Sequence, residues 1–322
     1  MTKYPNSFGG ISRQDFLKGA AITALLPFLP RVSASEAASI GVLETAPGIF
    51  VHVGKYQLVD EANRGDISNP CCIIGRSSAA VIDASGSYAM GAEFHEAVSR
   101  LTDKPVRYVI NTHMHPDHVM GNAAFKKPGT EFVGHHKLPA ALAARKESYL
   151  TNARQRLGEA AFAGTEIIPP TILVQDTLEL DLGERVLTLK ARPTAHTDND
   201  LTIFDQATGT FFLGDLLFSG HIPTLDGSIV GWLKLIPQLM EEKAERAVPG
   251  HGPKSMSWPD AILPEQHYLK VLADDVRRMI KEGKTLEEAV ATAAQSERDK
   301  WALFDAHNPR NVTAAYTELE WE

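Results

Sequence analysis

The sequence predicts a layered α/β fold. Three observations lead there. Strand, helix and strand patterns follow one another over residues 48–111, hairpin patterns fill the middle, and the final third is helical.

In chain order, GIFVHVG and CCIIGRSSAAVIDASG supply the first strands, and Val81-Ile82-Asp83 ends one at the small-residue turn Ala84-Ser85-Gly86-Ser87. Met90, Phe94, Val98 and Leu101 recur at the three- and four-residue intervals of a helix with one buried face. A strand over Arg107–Asn111 runs straight into THMHPDH at 112–118, and an alanine- and leucine-rich helical block covers 137–162. TLELDLGERVLTLKA and DLTIFDQATGTFFLGD alternate polar and apolar residues about turns near Gly183 and at Thr208-Gly209, as hairpins do. Tyr268, Val271, Leu272, Val276, Met279 and Ile280 share one helix face. Gly283 stops that helix, and Thr285 with Glu288 is placed as a capping box for the next.

With 322 residues and 43% hydrophobic content the chain has ample apolar mass for a sizeable core. A net charge of −8 with no basic face argues against a nucleic-acid partner, and interspersed charges such as Glu241–Arg246 read as a solvated helix face. Cys71 and Cys72 are adjacent within an apolar strand pattern. A disulfide between neighbours is strained, so both are expected to act as small hydrophobes.

The N-terminus reads as an export signal. SRQDFLK at 12–18 precedes an apolar stretch from Gly19 to Leu29 and a small-x-small site at Val32-Ser33-Ala34. The stretch is shorter than the roughly 20 residues needed to span a bilayer. The motif is twin-arginine-like, with Gln14 in place of the second arginine. Residues 1–34 are therefore expected to be cleaved, leaving a periplasmic protein without stable membrane anchoring. A hydrolase domain is expected over 40–255 and a helical extension over 256–322.

Chemistry concentrates at His113, His115, Asp117 and His118, which lie within six residues directly after a strand. His196 in PTAHTDND, Asp215 in FFLGDLLF and His251 in VPGHGP each follow a strand-like run, so all are able to converge on one sheet edge. Imidazole and carboxylate at this density suit zinc, with one position left open for water. His135 and His136 are candidates for orienting ligands. His52, His95, His267 and His307 read as surface or satisfied core histidines, and the sequon at Asn311-Val312-Thr313 as a chance occurrence.

HxHxDH followed by His, Asp and His resembles the metallo-β-lactamase superfamily, from about Gly48 to Pro253. The resemblance implies a four-layer αββα fold with two mixed β-sheets and a dinuclear zinc site. His113, His115 and His196 would hold one metal; Asp117, His118 and His251 the other; Asp215 would bridge them. A hydroxide shared by the metals would attack an ester, thioester or lactone carbonyl, with Asp117 also orienting it. His221, Asp226 and Trp232, in SGHIPTLDGSIVGW, would lie beside the metals as substrate-pocket candidates. Aspartate at the bridging position resembles thioesterase- and lactonase-type members such as glyoxalase II, whereas β-lactamases of this fold generally carry cysteine or serine there.

HPDHVMGNAAF, VGHHKLPAALAARKESY, HTDNDLTIFD, GHIPTLDGSIVGW and the terminal ELEWE are similar to the quinoprotein relay system zinc metallohydrolases, a group related to SoxH. That similarity implies a small-molecule substrate and association with a periplasmic quinoprotein dehydrogenase. The alternatives are a mononuclear iron enzyme of the persulfide dioxygenase kind, a β-lactamase and a non-catalytic accessory binding protein. No residue of the helical extension reads as chemically special, and Trp301 and Trp321 read as packing anchors.

Overall fold

The computed structural model describes residues 40–322. The expected export signal lies outside the described residues. Residues 40–322 form one compact unit.

The first sheet contains β1 (Leu43–Ala46), β2 (Ile49–Val51), β3 (Cys71–Ile74), β4 (Ala79–Ile82), β5 (Val106–Ile110), β6 (Glu131–His135) and β7 (Ile172–Val174), side by side in that order. Pairing is antiparallel as far as β4 and parallel from β4 to β7. The second contains β8 (Thr177–Asp181), β9 (Val186–Ala191), β10 (Leu201–Asp205), β11 (Thr210–Phe218), β12 (Arg246–His251) and β13 (Met256–Ser257), in spatial order β13-β12-β11-β10-β9-β8. Within it β11 and β12 alone are parallel. The helices are α1 (Tyr88–Leu101), α2 (Pro116–Val119), α3 (Leu138–Phe162), α4 (Ile229–Met240), α5 (Leu263–Lys281), α6 (Leu286–Thr292) and α7 (Phe304–Leu319).

Successive strand residues face opposite sides, and the apolar runs serve two faces at once. Ile73, Ile82 and Ile110 meet Leu187, Leu189, Ile203 and Phe212 between the sheets. Their neighbours Cys72, Val81 and Val109 face outward onto Met90, Phe94 and Val98 of α1. On the far side Phe211 and Leu213 pack under α4, α5 and α7, with Trp232, Leu235, Leu272, Val276 and Val312. Each fully buried side chain of this kind contributes about 1.5–3 kcal/mol. The result is the expected αββα arrangement of two mixed sheets with helices outside, including helices at the C-terminal end. Those helices share an apolar cluster with β11 and α4.

Local chemistry sets the boundaries. Ser87 caps α1 by accepting from the Met90 amide, and the Thr285/Glu288 capping box starts α6 as its spacing predicts. Gly183 (φ +86) turns the first hairpin. One buried polar tie joins the sheets: Arg185 donates two hydrogen bonds to Asp205 (2.9 and 2.8 Å) and two more to the carbonyls of Pro47 and Ile74. With four acceptors for its donors, this guanidinium is paired well enough to sit inside.

Candidate metal centre

The predicted ligands arrive from separate elements. The loop after β5 carries His113 and His115 and leads into α2, which holds Asp117 and His118. His196 follows β9, Asp215 lies within β11, and His251 ends β12. A β-bulge re-aims the side chain it carries, and the β11–β12 register shifts on both sides of Gly214. Gly214 has φ +52 and packs against Thr112, where a side chain would not fit. That shift turns Asp215 inward. Thr197 donates through its amide and hydroxyl to Asp200, tying HTDND into a tight turn that presents His196.

All seven side chains converge as two abutting groups: His113, His115, His196 and Asp215, then Asp117, His118 and His251. Within each group the potential ligand atoms lie within 4.8 Å of one another. Asp215 faces both, with Oδ2 3.7 Å from His113 Nε2, 3.5 Å from His196 Nε2 and 3.4 Å from His251 Nε2. Its Oδ1 is 3.2 Å from His118 Nε2. Asp117 Oδ2 stands 3.4 Å from His118 and 3.2 Å from His251. Donors about 2.1 Å from a tetrahedral ion stand about 3.4 Å apart, so these spacings suit a metal.

The hydrogen bonds on the outer side of each ring strengthen that fit. His118 Nδ1 donates to Asp83 Oδ2 (2.8 Å), His196 Nδ1 to the Thr224 carbonyl (2.6 Å) and His251 Nδ1 to the Ile67 carbonyl (2.7 Å). His115 Nε2 donates to Asp226 Oδ2 (3.0 Å). Thr112 gives its own proton to Asp83, so its oxygen is left to accept from His113 Nδ1 (3.0 Å). Each outer partner is an acceptor, and each therefore leaves the opposite ring nitrogen available as a bare donor atom aimed inward. His196 Nε2 faces His113 Nε2 at 3.3 Å and His115 Nδ1 at 3.0 Å. His118 Nε2 and Asp215 Oδ1 are buried with no hydrogen-bond partner despite their 3.2 Å separation. Buried polar atoms are rarely left so, and a cation between them satisfies both.

Electrostatics agree. Burial holds His113 well below the usual histidine range and His196 at about 3, so both stay neutral at pH 7. Burial works against charge on His251, yet the Asp215 and Asp117 carboxylates raise it to about 9. The second group thus attracts positive charge.

A cavity of about 420 Å³ opens onto the centre, reaching Asp117, Asp215 and His251. His221 and Asp226 line it. Trp232 does not: it is fully buried under the second sheet and meets the back of His196 edge-on, with ring centroids 5.5 Å apart. It supports a ligand and does not contact the cavity. His135 and His136 stack on each other and bond to backbone groups of 137 and 174.

Several cavity residues carried no signal in the sequence. His307 and Arg310, from α7, line the cavity and correct the expectation that the C-terminal region holds nothing chemically special. Arg310 donates to Asp226 Oδ1 (2.8 Å), so it steadies the partner of His115. Burial opposes charge on Asp226, but His115 and Arg310 hold it well below the usual carboxylate range. Asn311 is buried, accepting from the Leu225 amide and donating to the Pro223 carbonyl, which fixes the loop bearing Asp226 and fits the reading of its sequon as chance. Trp301 is a packing anchor, but Trp321 is 84% exposed. Helix periodicity around 310 is legible in advance; which sheet edge the helix overhangs is not.

Comparison with known proteins places this geometry in context. Residues 64–251 match the model of the metallo-beta-lactamase superfamily. The chain is 23% identical over 218 residues to the acyl-coenzyme A thioesterase MBLAC2 of Bos taurus, covering 58% of this chain and 74% of that one. Among solved structures, a metallo-beta-lactamase from Pontibacter korlensis superposes with TM-score 0.58 at 15% identity, over 71% of this chain and 98% of the other. The sec-alkylsulfatase Pisa1 from Pseudomonas sp. superposes with TM-score 0.67 at 14% identity, over 86% of this chain and 50% of that one. Together with the matched segment, which holds all seven converging side chains, these findings show that the chain is a hydrolase belonging to the metallo-beta-lactamase superfamily.

Proposed function

We propose that the protein is a dinuclear zinc hydrolase of a small ester, thioester or lactone. One observation carries the reading: five imidazoles bound on their outer sides turn bare nitrogens toward two groups that share the Asp215 carboxylate. Two zinc ions there would supply an activated water and Lewis-acid polarisation of the carbonyl. His113, His115 and His196 would hold one ion, Asp117, His118 and His251 the other, with Asp215 between. Asp117 also lines the cavity, at the edge of the centre, where it can orient the nucleophile and accept its proton. Tyr149 lines the same cavity, and burial raises its phenol above the usual range, so it stays protonated as a donor toward a carbonyl or leaving group. The acyl-CoA thioesterase activity named for MBLAC2 supports a thioester among the candidate bonds.

Export to the periplasm, in functional association with a quinoprotein dehydrogenase, completes the proposal and rests on the N-terminal pattern and motif similarity. Elemental mass spectrometry of the purified protein, followed by an ester, thioester and lactone panel, tests the chemistry. About two zinc per chain and turnover in the panel are expected. About one iron per chain, or no turnover with two zinc bound, overturns it. Recovery of the chain in the cytoplasmic fraction overturns export.

A further inference from the structure

We infer that the substrate carries an anionic group, held by Arg145 of α3 in the same cavity; this deepens the hydrolase reading and rests on it. Arg145, Tyr149, Asn152 and Arg156 are spaced by four, three and four residues, so they form one stripe of α3, and all four line the cavity. The carboxylates lining that cavity are committed elsewhere: Asp117 and Asp215 to the centre, Asp226 to His115 and Arg310. Arg145 is half-buried, yet among the described residues its guanidinium makes no hydrogen bond or ion pair. Arg156 is exposed and likewise has no carboxylate partner. A guanidinium that lines a cavity without a counterion keeps its forked donors free for an anionic group. A carboxylate or phosphate on the substrate completes it.

The charged groups meet around Tyr149. Arg145, Tyr149 and Arg310 line the same cavity as Asp117 and Asp226, so Arg145 borders the space next to the centre. Leu58, Val59, Met120 and Leu157 give the wall an apolar part. The cavity thus fits a compact substrate with a short hydrocarbon part, an anionic end and the scissile carbonyl. Arg145 is a specificity-determining residue in this arrangement and takes no part in the bond cleavage itself.

The test compares wild type with Arg145→Gln and Arg145→Lys on two matched pairs of thioesters. One pair varies the acyl side, glutaryl against pentanoyl on a neutral thiol. The other varies the leaving side, pentanoyl on mercaptopropionate against mercaptopropionamide. Wild type should prefer the charged member of one pair by on the order of 10-fold or more in kcat/KM. Arg145→Gln should abolish that preference while leaving the neutral member within about twofold, and Arg145→Lys should restore part of it. The responding pair identifies the end that bears the charge. Absence of preference in both pairs, or equal slowing of charged and neutral members by Arg145→Gln, overturns the inference. If no thioester turns over, calorimetry of glutarate against pentanoate on the metal-loaded protein separates the two ideas. Tighter glutarate binding that Arg145→Gln removes sustains the anion site although the thioester reading has failed. Equal affinities overturn it.

Discussion

Asp83 decides whether His118 is able to bind a metal, and Asp83→Asn tests that directly. The carboxylate is buried and accepts three hydrogen bonds: from the Thr112 amide (2.8 Å), the Thr112 hydroxyl (2.7 Å) and His118 Nδ1 (2.8 Å). Asparagine has the same shape and tolerates the left-handed backbone at this position (φ +56). Of its two terminal atoms only one accepts. If its oxygen keeps the Thr112 amide, its NH2 must face His118 Nδ1 and the Thr112 hydroxyl. His118 then accepts on Nδ1, and its proton moves to Nε2, the atom that faces Asp215 Oδ1 and Asp117 Oδ2. A ligand nitrogen is lost without loss of side-chain volume. Outer partners of this kind are worth about 10- to 100-fold in metal affinity, or about 1.4–2.7 kcal/mol. Dialysis against a graded chelator with elemental mass spectrometry should show one metal of the pair released at about 10- to 100-fold lower chelator strength than in wild type. The second metal should be held more nearly as before. Both metals held as in wild type, in a variant with wild-type circular dichroism, would refute the role given to Asp83.

Four further outcomes follow from the same coordinates. In Gly250→Ala the new Cβ would lie 2.0 Å from Asp215 Oδ1 and 2.7 Å from the backbone of Gly214; bound metal should fall below half of wild type, and full metal content would contradict the central position of Asp215. Asp205→Ala leaves the buried Arg185 guanidinium without its carboxylate; chemical denaturation should show about 3–5 kcal/mol of lost stability, and a loss under 1 kcal/mol would contradict the burial of that pair. Burial raises Glu265 well above the usual carboxylate range, against the Phe218 amide that donates to it at 2.6 Å. The folded state therefore binds its proton more tightly than the unfolded chain. That contribution is complete below the unfolded value of about 4.5 and is lost as pH rises toward the folded value. Glu265→Gln should remove this loss, so the wild-type stability curve should fall relative to the variant above about pH 4.5; parallel curves would contradict it. Complete chelation should lower Tm, because ions that bind only the folded state stabilise it; an unchanged Tm would mean that the centre holds no metal under those conditions.

What the sequence disclosed and what it withheld divide along a physical line. THMHPDH is legible because four ligand-competent residues crowd into one strand-end loop, a density that packing alone does not require. His196 and His251 are legible because they stand after or at the end of a strand, and strands of a sandwich deliver such ends to one edge; Asp215 lies inside β11, where the register shift at Gly214 turns it inward. The β-runs are legible as apolar segments, but Cys71–Ile74 is apolar throughout, so which residues face the other sheet is not: the fold sends Ile73 to the inner layer and Cys72 to α1. Trp232 was misplaced for a reason of the same kind. The family resemblance puts the whole segment SGHIPTLDGSIVGW beside the metals, but α4 begins at Ile229 and its apolar face, including Trp232, is drawn into the cluster with β11. An aromatic on a helix goes where the largest apolar area is buried.

The residues that sequence reasoning missed are those whose meaning depends on contacts far along the chain. Asp83 lies 35 positions from His118, and Arg310 lies 84 from Asp226. His307 and Arg145 sit on helices whose sequence gives a face but not a destination. Their location follows only once α7 packs against α4 and α5, and α3 and α7 both border the cavity. Four of the candidate ligands crowd into the loop and short helix directly after β5, so their pattern is local. The groups that choose among substrates are carried by helices of the outer layers, where charged residues are ordinary and have no pattern of their own. A chain of this architecture can therefore reveal its chemistry from sequence while concealing its specificity. Arg145, with no counterion beside a cavity whose other carboxylates are committed, is the point at which the structure supplies what the sequence could not.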